Sequence, residues 1–281
     1  MEFFEALRSH SFLRYALATS ILASVACGMI GTYVVTRRIS YIAGAVSHCA
    51  LGGMGAARYL QVVLGWDWCE PLLGATVAVL LAALVIGWVS IRAKEREDTV
   101  IGAIWAMGMA VGVLFIARTP GYGQDLMGYL FGNILLVSGR DLWLIVGLDA
   151  LVITLGLAFY NRFIAVSFDE EFARLRGIRV EFHYLLLLGM TALTVVVLVK
   201  VVGIVMVIAL LTLPAASAGQ FCRTLGWMML LAIGLSALVT VGGLVLSYGP
   251  NLPTGATTIV LAGAAYLLAL VAGRWARSKG A

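Results

Sequence analysis

Residues 183–218 read HYLLLLGMTALTVVVLVKVVGIVMVIALLTLPAASA, and the only formal charge in the run is Lys200. A helix rises about 1.5 Å per residue and needs about 20 mostly apolar residues to cross the ~30 Å hydrocarbon core of a bilayer. The run is therefore too long for one crossing. Lys200, followed by Val201–Gly203, is the natural place to divide it in two. The composition agrees with this reading: of 281 residues, 62% are hydrophobic and 12% are charged, and the mean hydropathy is +1.02. A soluble chain carries about 25% charge, and an ordinary folded domain has too little interior to hide this much apolar surface from water. The chain is read as an all-α polytopic membrane protein, a single transmembrane domain over residues 1–281.

The same ruler marks spans near 12–35, 43–64, 72–92, 100–118, 141–160, 183–199, 201–219, 226–248 and 255–273. Arg8, His10 and Arg14 precede the first, which can begin with a helix lying in the interface, so eight or nine crossings are expected. Residues 119–140 are broken by glycine and Pro120 and read as a short re-entrant or interfacial helix. Of the 19 Lys and Arg, 13 fall on one side of this topology, among them Arg37, Arg38, Arg162, Arg174, Arg176 and Arg179. The positive-inside bias puts that side, and with it the C-terminus, in the cytoplasm.

Several classes are excluded. The net charge of +5 is spread through short connections, as membrane topology requires, and forms no nucleic-acid face. Cys27, Cys49, Cys69 and Cys222 make no C-x-x-C pair, so neither a disulfide framework nor a zinc knuckle is supported. Glu2 and Glu5 stand where a cleavable signal peptide would be basic, so none is expected. Without a G-x-x-x-x-G-K-[ST] loop the chain does not itself drive ATP-powered transport. No G-x-S-x-G or H-E-x-x-H signature points to an enzyme.

Three segments carry chemistry. In 37–60, RRISYIAGAVSHCALGGMGAARYL, helical spacing puts Gly44, His48, Gly52 and Ala56 on one face, with Ala45, Cys49, Gly53 and Ala57 beside them. Such a stripe lets another helix or a symmetry mate come close. His48 sits in its middle, as a structural histidine bonded to a neighbouring carbonyl or as a ligand for a borderline divalent metal. Asp149, in LIVGLDALVITL, is the second deeply apolar ionisable residue, a candidate ligand, a proton carrier, or a partner to a hydroxyl or backbone amide. His183 opens a span and reads as interfacial.

Residues 167–180, SFDEEFARLRGIRV, read as a short amphipathic helix with Phe168, Phe172 and Leu175 on one face. Asp169, Glu170, Glu171, Arg174 and Arg176 lie elsewhere on it. Ser167 or Asp169 can cap its start and Gly177 its end. A bare connector needs neither caps nor a recurring apolar face, so a helix docking into a groove of a partner fits better. Finally, Pro214 lies within a span near one end, and SYGPNLPTG at 247–255 forms a rigid turn.

Taken together, RRISYIAGAVSH, GYLFGNIL at 128–135, FDEEFARLRGIRV, VVGIVMVIALLTLPAASA and LSYGPNLPTG resemble the permease subunits of zinc, manganese and iron ABC importers, the ABC-3 family. The resemblance runs from about residue 28 to 260, in family order. It implies a type II ABC importer permease-like helical bundle in a bacterial-type cytoplasmic membrane. It further implies a homodimer around an alternating pathway, two ATP-binding cassette subunits docked on coupling helices, and an extracytoplasmic metal-binding protein. On that reading Asp169, Glu170, Glu171, Phe172, Arg174 and Gly177 belong to the ATPase-coupling segment. ATP is bound by the partner, this chain binds no cofactor, and the divalent metal is cargo.

The family's first motif places an aspartate four residues before its histidine. This sequence keeps His48 but has Gly44 at the aspartate position, and Asn133 replaces an acidic residue common after Y-L-F-G. Losing a hard oxygen ligand turns the expectation from manganese towards zinc. Importers of siderophore or cobalamin chelates share the more distant resemblance. A proton-coupled carrier built on His48 and Asp149 is the reading from another class.

Overall fold

The computed structural model describes residues 2–92, 97–120, 137, 139–250 and 252–278. In chain order the helices are α1 (Glu2–Ser9), α2 (Ser11–Thr36), α3 (Ser40–Val63), α4 (Pro71–Arg92), α5 (Glu97–Arg118), α6 (Gly139–Ala158) and α7 (Tyr160–Phe168). They continue as α8 (Glu170–Leu175), α9 (Val180–Val202), α10 (Ile204–Ala218), α11 (Leu225–Tyr248) and α12 (Thr254–Ser278). Each of the nine expected spans coincides with a helix, and α1 is separated from α2 at His10. The re-entrant helix expected at 119–140, with GYLFGNIL and Asn133, lies outside the described residues apart from its edges.

The long apolar run divides at Gly203, whose φ of 85° and ψ of 160° belong to a backbone region essentially closed to residues with a Cβ. Among the described residues six helices are long and apolar enough to cross a membrane, and a seventh is made by counting Leu142–Ala158 and Tyr160–Phe168, which meet at 68°, as one span. By this measure the expected eight or nine crossings are too many. The shortfall has two physical causes. α10 has 15 residues, which reach about 22 Å of the ~30 Å core. α3 is long enough at 24 residues, but its composition is dominated by Gly, Ala and Ser with His48 and Arg58, as suits a helix enclosed by other helices.

α2 and α9 form the centre: 72% of the apolar window of each is buried, against 17% for α5 and α12. Around them α3 packs on α4 and α5, α11 and α10 on α2, α6 on α2, and α12 on α10 and α11. In lipid no hydrophobic force draws helices together, so close approach and hydrogen bonding do that work. Ser24 Oγ and Thr240 Oγ1, 3.0 Å apart, join α2 to α11, and the Tyr33 hydroxyl donates to the Gly156 carbonyl at 3.0 Å to join α2 to α6. Pro214 sits inside α10, which continues to Ala218.

Candidate metal pathway and docking site

α3 carries the first candidate residue. His48 is half-buried, and its Nδ1 is buried with no hydrogen-bond partner among the described residues. The imidazole stacks on Trp105 of α5, with ring centres 4.9 Å apart and planes at 23°. The same indole lies 5.3 Å from the Tyr41 ring. The local sequence explains why α5 can come this close. A Cβ on Gly52 would sit 2.7 Å from the Gly108 carbonyl, and a Cβ on Gly108 would sit 2.7 Å from the Cys49 sulfur. The stripe expected to meet a helix or a symmetry mate thus meets α5 of its own chain, and its neighbouring row at Gly53 and Ala57 meets Gly74 of α4.

Gly44 has the same explanation. A Cβ there would come within 2.9 Å of Trp105 Cη2 and Cζ3. The indole therefore fills the space that an aspartate at 44 would need. The missing carboxylate is legible in the sequence and the residue standing in its place is not, because nothing local in α5 marks Trp105 as a partner of α3.

Asp149 is 4% exposed on α6, and its Oδ2 lacks a partner among the described residues. α6 docks against α2 and α9, whereas His48 faces α5, so the structure does not join the two candidates. Among the described residues no three His, Cys, Asp or Glu side chains form a metal-binding group. What α3 offers is one imidazole in a half-buried setting. Such a donor suits an ion in passage, which must bind weakly enough to leave.

The segment expected to dock on a partner forms a capped helix, as its sequence implies. α8 is shorter than the expected 167–180. Asp169 caps it, its Oδ1 accepting from the Phe172 amide at 2.9 Å. Glu170 and Glu171 occupy the first turn and Arg174 the last, in accord with the helix dipole. Gly177, at φ 74°, closes the helix: its amide donates to the Arg174 carbonyl and the Ile178 amide to the Ala173 carbonyl. Phe168, Phe172 and Leu175 are 70%, 50% and 88% exposed. These are large apolar side chains on a connector between helices. The Arg174–Glu181 pair at 2.7 Å is exposed on both sides and adds little.

Two residues escaped the sequence reading. His183, which opens α9, is enclosed by protein: its Nδ1 lies 2.8 Å from the Arg179 carbonyl and its ring is set among Phe159, Phe163 and Phe182. The bend between α6 and α7 folds Phe159 and Phe163 over it. Arg37, read only as a basic residue of the first motif, reaches α8 and forms an ion pair with Glu170 at 2.6 Å.

This geometry can be set beside known proteins. An uncharacterised membrane protein of Synechocystis sp. is 45% identical over 261 residues, covering 93% of this chain and 90% of its own. The manganese transport system membrane protein MntC of Halalkalibacterium halodurans is 34% identical over 268 residues, covering 95% and 89%. Among solved structures, PsaBC from Streptococcus pneumoniae in complex with Fab superposes with a TM-score of 0.84 at 30% identity, over 95% of this chain and 94% of that one. Residues 9–273 match the ABC 3 transport family. The chain belongs to that family, as a multi-pass permease of a metal ABC transporter and a transport component rather than an enzyme.

Proposed function

We propose that the chain is the membrane subunit of an ATP-driven divalent-metal importer, working as a homodimer with His48 on the pathway between its two halves. Two ATP-binding subunits dock on α8, and an extracytoplasmic binding protein delivers the metal. The observation that carries this reading is α8 itself, capped at both ends and presenting Phe172 and Leu175 outward with Phe168 beside them. Arg162, Arg174, Arg176 and Arg179 surround that corner, and the positive-inside bias turns it towards the cytoplasm. A proton-coupled carrier would need His48 and Asp149 on one route, and they lie on different helix pairings.

Zinc is the metal we assign. The donor present is imidazole, which suits zinc, and the carboxylate that would suit manganese is absent from position 44. Manganese is the second reading, favoured by the names of the relatives from Halalkalibacterium halodurans and Streptococcus parasanguinis.

The test is reconstitution in liposomes with the ATP-binding and metal-binding partners, ATP being supplied on the side that α8 faces. ATP-dependent zinc accumulation is expected. Replacing Phe172 and Leu175 together by Glu leaves the bundle folded, because both side chains are exposed. It should weaken retention of the ATP-binding subunit about thirtyfold, the roughly 2 kcal/mol of an apolar hot spot. A purified complex that keeps that subunit and its uptake would show that α8 is no docking site.

A further inference from the structure

One side chain joins the docking corner to the turn from which α3 starts. The Arg37 guanidinium donates through one nitrogen to the carbonyl of Val166, in the last turn of α7, and through the other to Glu170 Oε1 at 2.6 Å, in the first turn of α8. It also lies 4.5 Å from the centre of the Tyr184 ring on α9, whose hydroxyl reaches Ser90 Oγ of α4 at 3.3 Å. The Val166 carbonyl belongs to the group that a helix end leaves without an intrahelical donor. The Arg37 side chain is only 10% exposed although it stands at the end of the bundle.

The surroundings give this contact more than a capping role. Val166, Ala173 and Val180 form a small apolar cluster of their own beside the main core, to which α7 and α9 also contribute Phe163 and Tyr184. A cavity of about 340 Å³ lies beside it, lined in part by Arg37, Ser90, Ser167, Glu170, Glu181 and Tyr184. The corner is thus tied to the α2–α3 turn by a charged fork, while deeper in the bundle Phe163 of α7 packs on Tyr33 of α2 with ring centres 5.1 Å apart. That turn is itself fixed: Arg38 holds φ 61°, a conformation residues with a Cβ keep only where the surroundings determine it. From Ser40 to His48 is about 12 Å along α3.

Building on the importer reading above, we propose that Arg37 is a positioning residue that transmits displacement of α8 through the α2–α3 turn to α3, and so to His48. A planar guanidinium with donors on two elements obliges the end of α7 and the start of α8 to move together with residue 37. A lysine ammonium can donate to either oxygen but has no rigid planar fork to fix the two elements against each other.

The experiment is hydrogen exchange of the assembled permease with its ATP-binding partner, with and without ATP, followed over residues 36–48 and 168–176. In the wild type ATP is expected to change exchange in both segments. In Arg37→Gln the change at 168–176 persists while that at 36–48 falls to less than about a third, and Arg37→Lys restores it only in part. The double variant Arg37→Gln/Glu170→Gln should be no worse than Arg37→Gln, since the two residues act through one contact. If Arg37→Gln fails to assemble, Glu170→Gln carries the test, because that half-exposed side chain keeps its shape and loses only the ion pair. A wild-type-sized response at 36–48 in Glu170→Gln together with Arg37→Lys or Arg37→Gln overturns the proposal, as does a wild-type complex whose 36–48 segment ignores ATP. Metal uptake is scored separately: coupled segments without any metal movement would remove the importer reading and leave the transmission role of Arg37 standing.

Discussion

Gly53→Val is expected to abolish the folded bundle. A Cβ at Gly53 would lie 2.1 Å from the Gly74 carbonyl oxygen and 2.6 Å from the Ala78 Cβ, and a Cβ at Gly74 would lie 2.2 Å from the Gly53 carbonyl. The obstruction is backbone on both sides, so no rotamer relieves it and α3 must part from α4. In lipid nothing but packing and hydrogen bonds draws the two helices back together. Overpacking typically costs about 1–3 kcal/mol and more where backbone has to shift, which places this substitution among the few that cost more than ~4 kcal/mol. Gly147→Val is the control, since nothing lies within 4 Å of a Cβ there. Size-exclusion chromatography in detergent and the thermal midpoint decide the matter. Gly147→Val should match the wild type and Gly53→Val should give no monodisperse peak. A monodisperse Gly53→Val with an unchanged midpoint would mean that α3 and α4 do not cross at these glycines.

The second large effect concerns Gly44 and Trp105. Aspartate at 44 restores the carboxylate of the family motif, but its Cβ meets the Trp105 ring at 2.9 Å, and that ring also packs on His48 and Tyr41. Gly44→Asp alone is therefore expected to lower uptake about tenfold or more, through a displaced indole that disturbs His48. Adding Trp105→Ala removes the collision and leaves an Asp and a His four residues apart on one helix face. The double variant should regain uptake and raise the manganese-to-zinc ratio about tenfold, since a carboxylate oxygen is the harder donor. Metal accumulation by mass spectrometry with both ions present measures that ratio. Full activity of Gly44→Asp with an unchanged ratio would mean that Trp105 does not control the site.

Much of the fold is legible along the chain because its signals are local. Apolar runs mark helices, and Gly203 breaks the longest of them where the sequence suggests. Asp169 and Gly177 bound α8, because an N-cap acceptor and a residue free to adopt positive φ are written in single positions. What could not be read depends on residues far apart. The glycine stripe of α3 announces a close neighbour without saying that it is α5, and only that neighbour brings Trp105 over Gly44 and His48. His183 opens a span, and its enclosure depends on α7 bending back across it, which no local pattern shows. Asp149 and His48 look equivalent as intramembrane ionisable residues, yet helix pairing separates them. The number of crossings was overread because α10 is short and α3 has the composition of an interior helix.

The central claim is that a divalent metal, zinc foremost, passes His48 when ATP is hydrolysed by a docked partner. Its most direct test is metal accumulation, measured by mass spectrometry, in cells lacking their own zinc and manganese importers. Those cells would express the chain with its ATP-binding and metal-binding partners, either intact or as His48→Ala. Selective zinc gain is expected with the intact chain, and a loss of about tenfold or more in His48→Ala, which removes the one imidazole donor on that face. Zinc gain undiminished in His48→Ala would contradict the placement of the pathway, and no gain of any divalent metal with the intact chain would contradict the importer itself.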